Sequence, residues 1–373
     1  MPYRSGLNIS IKQRTMAVTK DKINIVKMAR PSVRDLKPYA SAKEEFKEFE
    51  KELIYLDANE NPYENGLNRY PDPHQLRLKE RISALKGVPV ENILLGNGSD
   101  EVLDMIFRVF FEPGRDNIII NVPTFGMFQV LANINNIECR RVLLREDFGL
   151  DVNEIVNMTD QATKAVFVCS PNNPTGNLMG RDDIEKLLEL GILVVIDEAY
   201  IDFSEQRSWA DKIGSFNNLI ITQTFSKAFG LAGIRLGACF ADERIIDLLK
   251  KVKMPYNVNV LTQKTALEYL ENKKSTEQQV HEIVKHREQL KKDLQQVGFI
   301  EKVYPSDSNF LLVKVDDADR RYRELIDREL IIRNRTNEPL CKNCLRITVG
   351  TESENKALVD SMVQLDMTKK INS

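Results

Sequence analysis

The chain has 373 residues, of which 42% are hydrophobic and 29% charged, enough for about two ordinary globular domains at roughly 150 residues each. Its 53 Lys and Arg against 55 Asp and Glu leave a formal charge of −2, which argues against nucleic acid or an anionic membrane surface as the partner. The longest apolar runs, at 165–169 and 192–196, reach five residues, whereas a membrane helix needs about 18 or more, so no transmembrane segment is expected.

Residues 1–20 carry Arg4, Lys12, Arg14 and Lys20 with no acidic residue, and the first 30 residues are expected to form a disordered leader with no targeting function. From about residue 92 to 240 a short β-branched run, a cluster of turn residues and often a helical segment recur. The runs are Asn92–Leu95, Asn117–Ile120, Ala165–Cys169, Ile192–Ile196 and Leu219–Ile221. Continuous rather than alternating hydrophobicity marks strands covered on both faces, and interleaved helices make their sheet mostly parallel. Asp100–Phe111 places Val102, Met105, Ile106 and Val109 on one helical stripe, with Ser99 or Asp100 as the expected N-cap.

A domain boundary is expected near 253–262. Beyond it a long helix should start at Ser275 or Thr276, where Ser275 to Gln278 reads as a capping box, and stop before Gly298. There follow an expected strand at Asn309–Val315, a helix at Ala318–Glu329, strands at Leu330–Arg333 and Leu345–Val349, and a helix at Thr351–Leu365 capped by Thr351 and Glu354. The predicted fold class is α/β, a mostly parallel mixed sheet flanked by helices, with a smaller α+β domain. The large domain is assigned to 64–255, and the small one to 31–63 together with 256–373.

Five scattered cysteines, Cys139, Cys169, Cys239, Cys341 and Cys344, fit a reducing cytoplasm better than a disulfide framework. Cys341 and Cys344 have CxxC spacing, but zinc would need two further ligands. The three histidines are His74, His281 and His286, and the last two stand too far apart to share a helix face. No metal is expected.

In a parallel α/β sheet, ligands bind beyond the carboxyl ends of the strands. The loop Gly96–Glu101 leads into a helix, so the amides of Gly98, Ser99 and Asp100 either receive a phosphate or simply cap the helix. Lys227 stands among Thr224, Phe225, Ser226, Phe229 and Gly230, a setting that disfavours its charged form and suits a free amine attacking a carbonyl. Asp197 ends a buried strand, where a carboxylate calls for a cationic partner. Taken singly, each of these two charges also fits a purely structural role.

The ordered set Ser170-Pro-Asn-Asn-Pro-Thr-Gly176, Asp197-Glu-Ala-Tyr200, Ser226-Lys227 and Gly233-Ile-Arg-Leu-Gly237 resembles the fold-type I, pyridoxal-phosphate-dependent aminotransferases over roughly residues 30–366. Asn59–Tyr63, Asn68–Pro71, Pro123–Met127 and Cys344–Gly350 are similar to the histidinol-phosphate branch of that family. The resemblance implies pyridoxal 5'-phosphate as cofactor, with Lys227 holding it and moving the proton. It implies Asp197 on the pyridine nitrogen, Asn173 and Tyr200 on the phenolic oxygen, and Phe125 stacked on the ring. The phosphate cup would comprise Gly98, Ser99, Asp100, Thr224, Ser226 and Arg235.

Tyr70 would reach the cofactor of a neighbouring subunit, implying a homodimer. Arg346, Arg333, Tyr39 and Asn59 would bind substrate, Arg346 because its guanidinium fork suits carboxylate and phosphate alike. The implied reaction exchanges an amino group between histidinol phosphate and 2-oxoglutarate, giving glutamate, in histidine biosynthesis. The alternatives are a broad-specificity or aromatic amino acid aminotransferase, a lyase resembling threonine-phosphate decarboxylase, and a non-catalytic binding module.

Overall fold

The central strands are built from Val, Ile and Leu because both of their faces are covered. The computed structural model describes residues 23–37, 54–271 and 273–371. Strands β1 (Ile93–Asn97), β2 (Asn117–Val122), β3 (Glu138–Leu143), β4 (Thr163–Cys169), β5 (Leu193–Asp197), β6 (Leu219–Thr224) and β7 (Leu236–Ala241) form one seven-stranded sheet in the order β1-β7-β6-β5-β4-β2-β3. All neighbours pair parallel except β7, which is antiparallel to both β1 and β6.

Successive side chains leave a strand on opposite faces. Val194 and Ile196 of β5 accordingly enter the core on one side of the sheet, and Leu193 and Val195 the core on the other. Strand β3 was not expected, because in Glu-Cys-Arg-Arg-Val-Leu only Val142 is buried at this sheet edge. Nor was β7, in which Gly237 interrupts the apolar run and Ala238 and Ala241 are small.

Helices cover both faces. The described ones are α1 (Ile25–Met28), α2 (Pro31–Arg34), α3 (Leu76–Lys86), α4 (Gly98–Phe110), α5 (Met127–Ile134), α6 (Val152–Met158), α7 (Arg181–Leu188), α8 (Glu243–Val252), α9 (Val260–Glu271), α10 (Lys273–Leu294), α11 (Ala318–Ile326) and α12 (Glu352–Ile371). Helix α4 presents Phe107 to Phe167 of β4 with ring centroids 5.3 Å apart, a stacked pair worth about 1 kcal/mol beyond its area. The expected N-cap of α4 is corrected. Asn97 holds that position, and Ser99 and Asp100 lie inside the first turn.

A second sheet of four antiparallel strands, in the order β10-β11-β9-β8, comprises β8 (Ile300–Val303), β9 (Phe310–Val315), β10 (Arg333–Asn334) and β11 (Cys344–Thr348). With α10, α11 and α12 it encloses its own core, including Leu290, Leu311, Val313, Leu345 and Met362. The capping box of α12 is present, with Thr351 N–H donating to Glu354 Oε2 at 2.7 Å and Glu354 N–H to Thr351 Oγ1 at 3.4 Å.

Three expectations shift. Ser275 lies within α10, so the predicted capping box there does not start a helix. The strand expected at Leu330–Arg333 is reduced to Arg333–Asn334. The assigned domain limits also move. Val258, Ala266 and Leu270 belong to the core of the large sheet, which therefore keeps α9, while Ile25, Ala29 and Val33 are buried against that sheet's other face. The segment 23–37 thus belongs to packed structure rather than to a leader.

Candidate active site

The carboxyl ends of β1, β2, β4, β5 and β6 open on a cleft of about 560 Å³ that β10 and β11 close from the other side. It brings together Ser99, Asp100, Phe125, Asn173, Asp197, Tyr200, Thr224, Ser226, Lys227, Arg235, Arg333 and Arg346, all of them singled out in the sequence.

At the floor, strand alternation turns Asp197 toward the cleft and Glu198 away from it. Glu198 is buried, where its carboxylate accepts from Ser208 Oγ, from Trp209 N–H at 2.7 Å and from Gln223 Nε2 at 2.9 Å. Asp197 is equally buried and accepts from Thr222 Oγ1 and Ala199 N–H, both at 3.2 Å. Among the described residues no cation pairs with it. Burial therefore pushes its pKa up to about 7, with the charges of Asp100 and Glu198 adding to the rise. A buried carboxyl group in this state fits a protonated ring nitrogen above it.

Lys227 opens onto the cleft, with Nζ 5.8 Å from the centroid of the Tyr200 ring. Desolvation by the protein crowded around the amine lowers its pKa from the ordinary lysine value, and the cations Arg346 and Arg235 lower it further. Tyr200 meets Phe310 of β9 edge-on, with centroids 5.2 Å apart. Its burial raises the phenol pKa, so the hydroxyl keeps its proton. Phe125 stands edge-on to Phe128 at 5.7 Å.

The start of α4 forms an anion cup. Arg235 adopts a left-handed backbone conformation (φ 55°). Its Nη1 donates to Ser226 Oγ at 3.2 Å, its Nη2 approaches Asp100 Oδ2 at 3.5 Å, and Ser226 N–H donates to Thr224 Oγ1 at 3.1 Å. The expected use of the Gly98 amide is corrected, since that N–H donates to Arg235 O at 2.9 Å. Gly98 serves the cup by lacking a side chain, because a Cβ there would lie 2.6 Å from Arg235 Nη2. The free amides at the helix start are those of the next residues, where the helix dipole favours an anion.

Glu101 clamps the cup from behind, a role the sequence did not reveal. Its Oε2 accepts from Asn97 N–H and, at 2.9 Å, from Asn257 Nδ2, and Asn97 Nδ2 in turn donates to Asn257 O at 2.6 Å.

On the facing wall, β10 and β11 place Arg333 opposite Arg346. Arg346 Nη1 donates to Asn173 Oδ1, and its guanidinium lies 5.2 Å from the Phe310 ring centroid. Arg335 and Glu338 also line this wall. They went unnoticed because the residues after Arg333 read as an ordinary polar loop. Asn59 and Tyr70 do not reach this cleft. They line a separate one of about 390 Å³ with Arg69 and Asn259, where Tyr70 stacks on Tyr256 at 4.4 Å. Asn59, expected to bind substrate, thus lies outside the cleft that holds Lys227. Tyr39 lies outside the described residues.

A family profile, aminotransferase class I and II, matches residues 38–362. The histidinol-phosphate aminotransferase of Christiangramia forsetii is 55% identical over 344 residues, covering 92% of this chain and 98% of that protein. Among solved structures, the histidinol-phosphate aminotransferase from Clostridium acetobutylicum superposes with a TM-score of 0.75 at 24% identity, over 81% of this chain and 92% of that one. The Sinorhizobium meliloti enzyme, solved with pyridoxal-5'-phosphate, gives 0.73 at 21% over 80% and 83%. At these identities the structures speak for the fold.

Proposed function

The chain belongs to the histidinol-phosphate aminotransferases, within the class I and II aminotransferases, and from that premise we propose how its cleft performs the reaction. The activity is amino transfer from L-histidinol phosphate to 2-oxoglutarate, giving imidazole acetol phosphate and L-glutamate, in histidine biosynthesis. The observation that carries the site assignment is the convergence of Lys227, Asp197 and the Arg235 cup on one cleft.

The residues present fit pyridoxal 5'-phosphate. Asp197 is a buried carboxyl group with no cation paired to it among the described residues, Arg235, Ser226 and the start of α4 form an anion cup, and the missing side chain at Gly98 leaves room for the guanidinium. When bound, this cofactor supplies a ring that withdraws the negative charge developing on the substrate Cα.

Lys227 Nζ would hold the cofactor and, once freed by the substrate amine, would serve as the base that takes the proton from the substrate Cα and as the acid that returns it. Its lowered pKa keeps the amine unprotonated for a larger share of the time. Asp197 would hold a proton on the ring nitrogen of the bound cofactor. Tyr200, whose phenol stays protonated, and Asn173 would hydrogen-bond the ring oxygen, and Phe125 would pack on the ring. Ser99, Asp100, Thr224, Ser226 and Arg235 hold the phosphate, while Arg346 and Arg333 receive the substrate's phosphate or carboxylate.

The functional unit is a homodimer in which Tyr70 and Asn59 serve the partner's site. Support comes from their separate cleft and from the exposed Leu67 and Leu261 beside it. The five free cysteines fit a cytoplasmic enzyme.

The test is a half-reaction panel. Holoenzyme is mixed separately with L-histidinol phosphate, phenylalanine and glutamate, and conversion of the cofactor from its aldehyde to its amine form is followed by absorbance. Fast conversion by histidinol phosphate and glutamate is expected. Conversion by phenylalanine and glutamate alone would leave a general aminotransferase, and release of carbon dioxide would leave a lyase.

A further inference from the structure

Helix α8 ends at Lys253, whose N–H donates to Leu249 O at 3.0 Å, so the lysine charge sits at the negative end of a helix dipole. The side chain is partly buried, and its Nζ donates to Pro73 O and Met254 O at 3.0 Å and to Pro255 O and Asn257 Oδ1 at 3.3 Å. Oxygens gathered in this way take the place of a cation's water shell. The turn 254–257 thus folds around the ammonium, closed by Asn257 N–H donating to Met254 O at 3.3 Å. From this turn Tyr256 stacks on Tyr70, which lies on the same segment as Pro73. The Asn257 amide points its other end at the cup, with Nδ2 donating to Leu95 O at 3.1 Å and to Glu101 Oε2 at 2.9 Å.

We propose that Lys253 is a positioning residue for the cofactor's phosphate cup, its ammonium acting as a built-in cation that folds the turn 254–257 and fixes the orientation of the Asn257 amide. The proposal rests on the cofactor reading above. An amide carries an acceptor at one corner and two donors at the other. With its oxygen on the ammonium and its nitrogen on the Glu101 carboxylate, Asn257 satisfies both charges at once. Flipped, it would set donor against cation and acceptor against anion and lose the bond to Leu95. Without the ammonium, nothing described on the oxygen side prefers the working orientation, and the oxygens of the turn are left facing one another. Glu101 then loses a donor, and the clamp on Asn97 at the start of α4 slackens. The charge has a second effect. A carboxylate behind an anion cup opposes the anion, and the lysine cation, one side chain further back, offsets it.

The experiment compares full-length wild type, K253A, N257A and the double variant, each freed of cofactor and titrated with pyridoxal 5'-phosphate by absorbance. K253A should raise the dissociation constant about tenfold, the value of one charge-assisted contact. Methylammonium chloride, which returns an ammonium to the vacated cradle, should recover most of that loss. Tetramethylammonium chloride at the same ionic strength has no N–H donor and should recover none. N257A should weaken binding by a similar factor, and adding K253A to it should cost less than about twofold more, because the two act in series. Wild-type affinity in K253A, equal recovery by both salts, or fully additive losses overturns the proposal, since a lysine that merely supports the fold acts independently of Asn257. The melting temperature of cofactor-free K253A should rise with methylammonium and stay unchanged with tetramethylammonium. If wild type takes up no cofactor, the cofactor reading fails, and this melting arm still decides whether the cradle holds a cation, no rise with methylammonium counting against it.

Discussion

Arg346 donates from Nη1 to Asn173 Oδ1, so a strand of the small sheet is tied to the loop after β4 of the large one through two residues that both face the cleft. The guanidinium is thereby held beside the reaction centre before any substrate arrives. Burial, together with the neighbouring Arg335 and Arg333 charges, lowers its pKa from the usual arginine value, so an entering anion relieves repulsion as well as forming new contacts.

Asn173→Ala removes this tether. A hydrogen bond to a charged group contributes about 1.5–3 kcal/mol, so KM for both amino donors should rise roughly tenfold. Steady-state kinetics with histidinol phosphate and glutamate check this. Unchanged KM values would mean that Arg346 needs no holding.

Asp197→Asn should separate stability from function. The native pKa is raised from 3.8 to about 7, so the folded state binds the proton more tightly than the unfolded chain does. Below about pH 4 both states are protonated and Asp197 carries no penalty. The penalty grows from about pH 4 to 7 and is complete above that, on the order of 4 kcal/mol. The cofactor-free variant should therefore melt higher than wild type at pH 8 and alike near pH 4, while its holoenzyme loses activity. Equal melting at both pH values would show that the carboxylate is relieved in some other way.

Gly237→Ala places a Cβ 2.2 Å from Ser99 N and 2.3 Å from Gly98 C, both backbone atoms that no rotamer change moves aside. Overpacking of this kind costs about 1–3 kcal/mol or more, and here it pushes the start of α4 out of the cup. A lower melting temperature and loss of bound cofactor on gel filtration are expected. Gly233→Ala, in the same motif but with no atom within 4 Å of the added carbon, is the contrasting control and should retain cofactor.

Glu101→Ala should raise the dissociation constant for pyridoxal 5'-phosphate about tenfold by releasing the clamp on Asn97 and Asn257. Glu101→Gln, which keeps one acceptor oxygen, should recover most of the affinity. Absorbance titration of the cofactor-free protein measures both. Wild-type affinity in the alanine variant would leave the clamp without a role in the cup.

Much of this was readable in the sequence because the chemistry sits in short local runs. Asp197 to Tyr200 and Thr224 to Lys227 directly follow fully buried strands, and in a parallel sheet those positions share one edge. The β-branched runs at 165–169 and 192–196 were equally plain, since burial on both faces leaves no polar residue to interrupt them. Edge strand β3 was invisible for the opposite reason, with one buried residue among charged ones. Arg335 and Glu338 gain their meaning from the pairing of β10 with β11, and Glu101 from a contact with Asn257 far along the chain. Such relationships arise only in three dimensions. The Ser275–Gln278 pattern misled because a capping box acts only where the backbone turns, and α10 is already under way there.

The reversed strand β7 also dictates an order of assembly. Its register joins Ile93 to Phe240 and Asn97 to Leu236, neighbours in the sheet that stand at opposite ends of its sequence, so the cup closes only when that long stretch of chain has been looped back. Such distant pairing is slow relative to local helix formation. Capture of the cofactor should therefore report the completion of folding rather than nucleate it. In stopped-flow refolding, far-ultraviolet circular dichroism should recover ahead of cofactor absorbance, and added cofactor should leave the earlier phase unaltered.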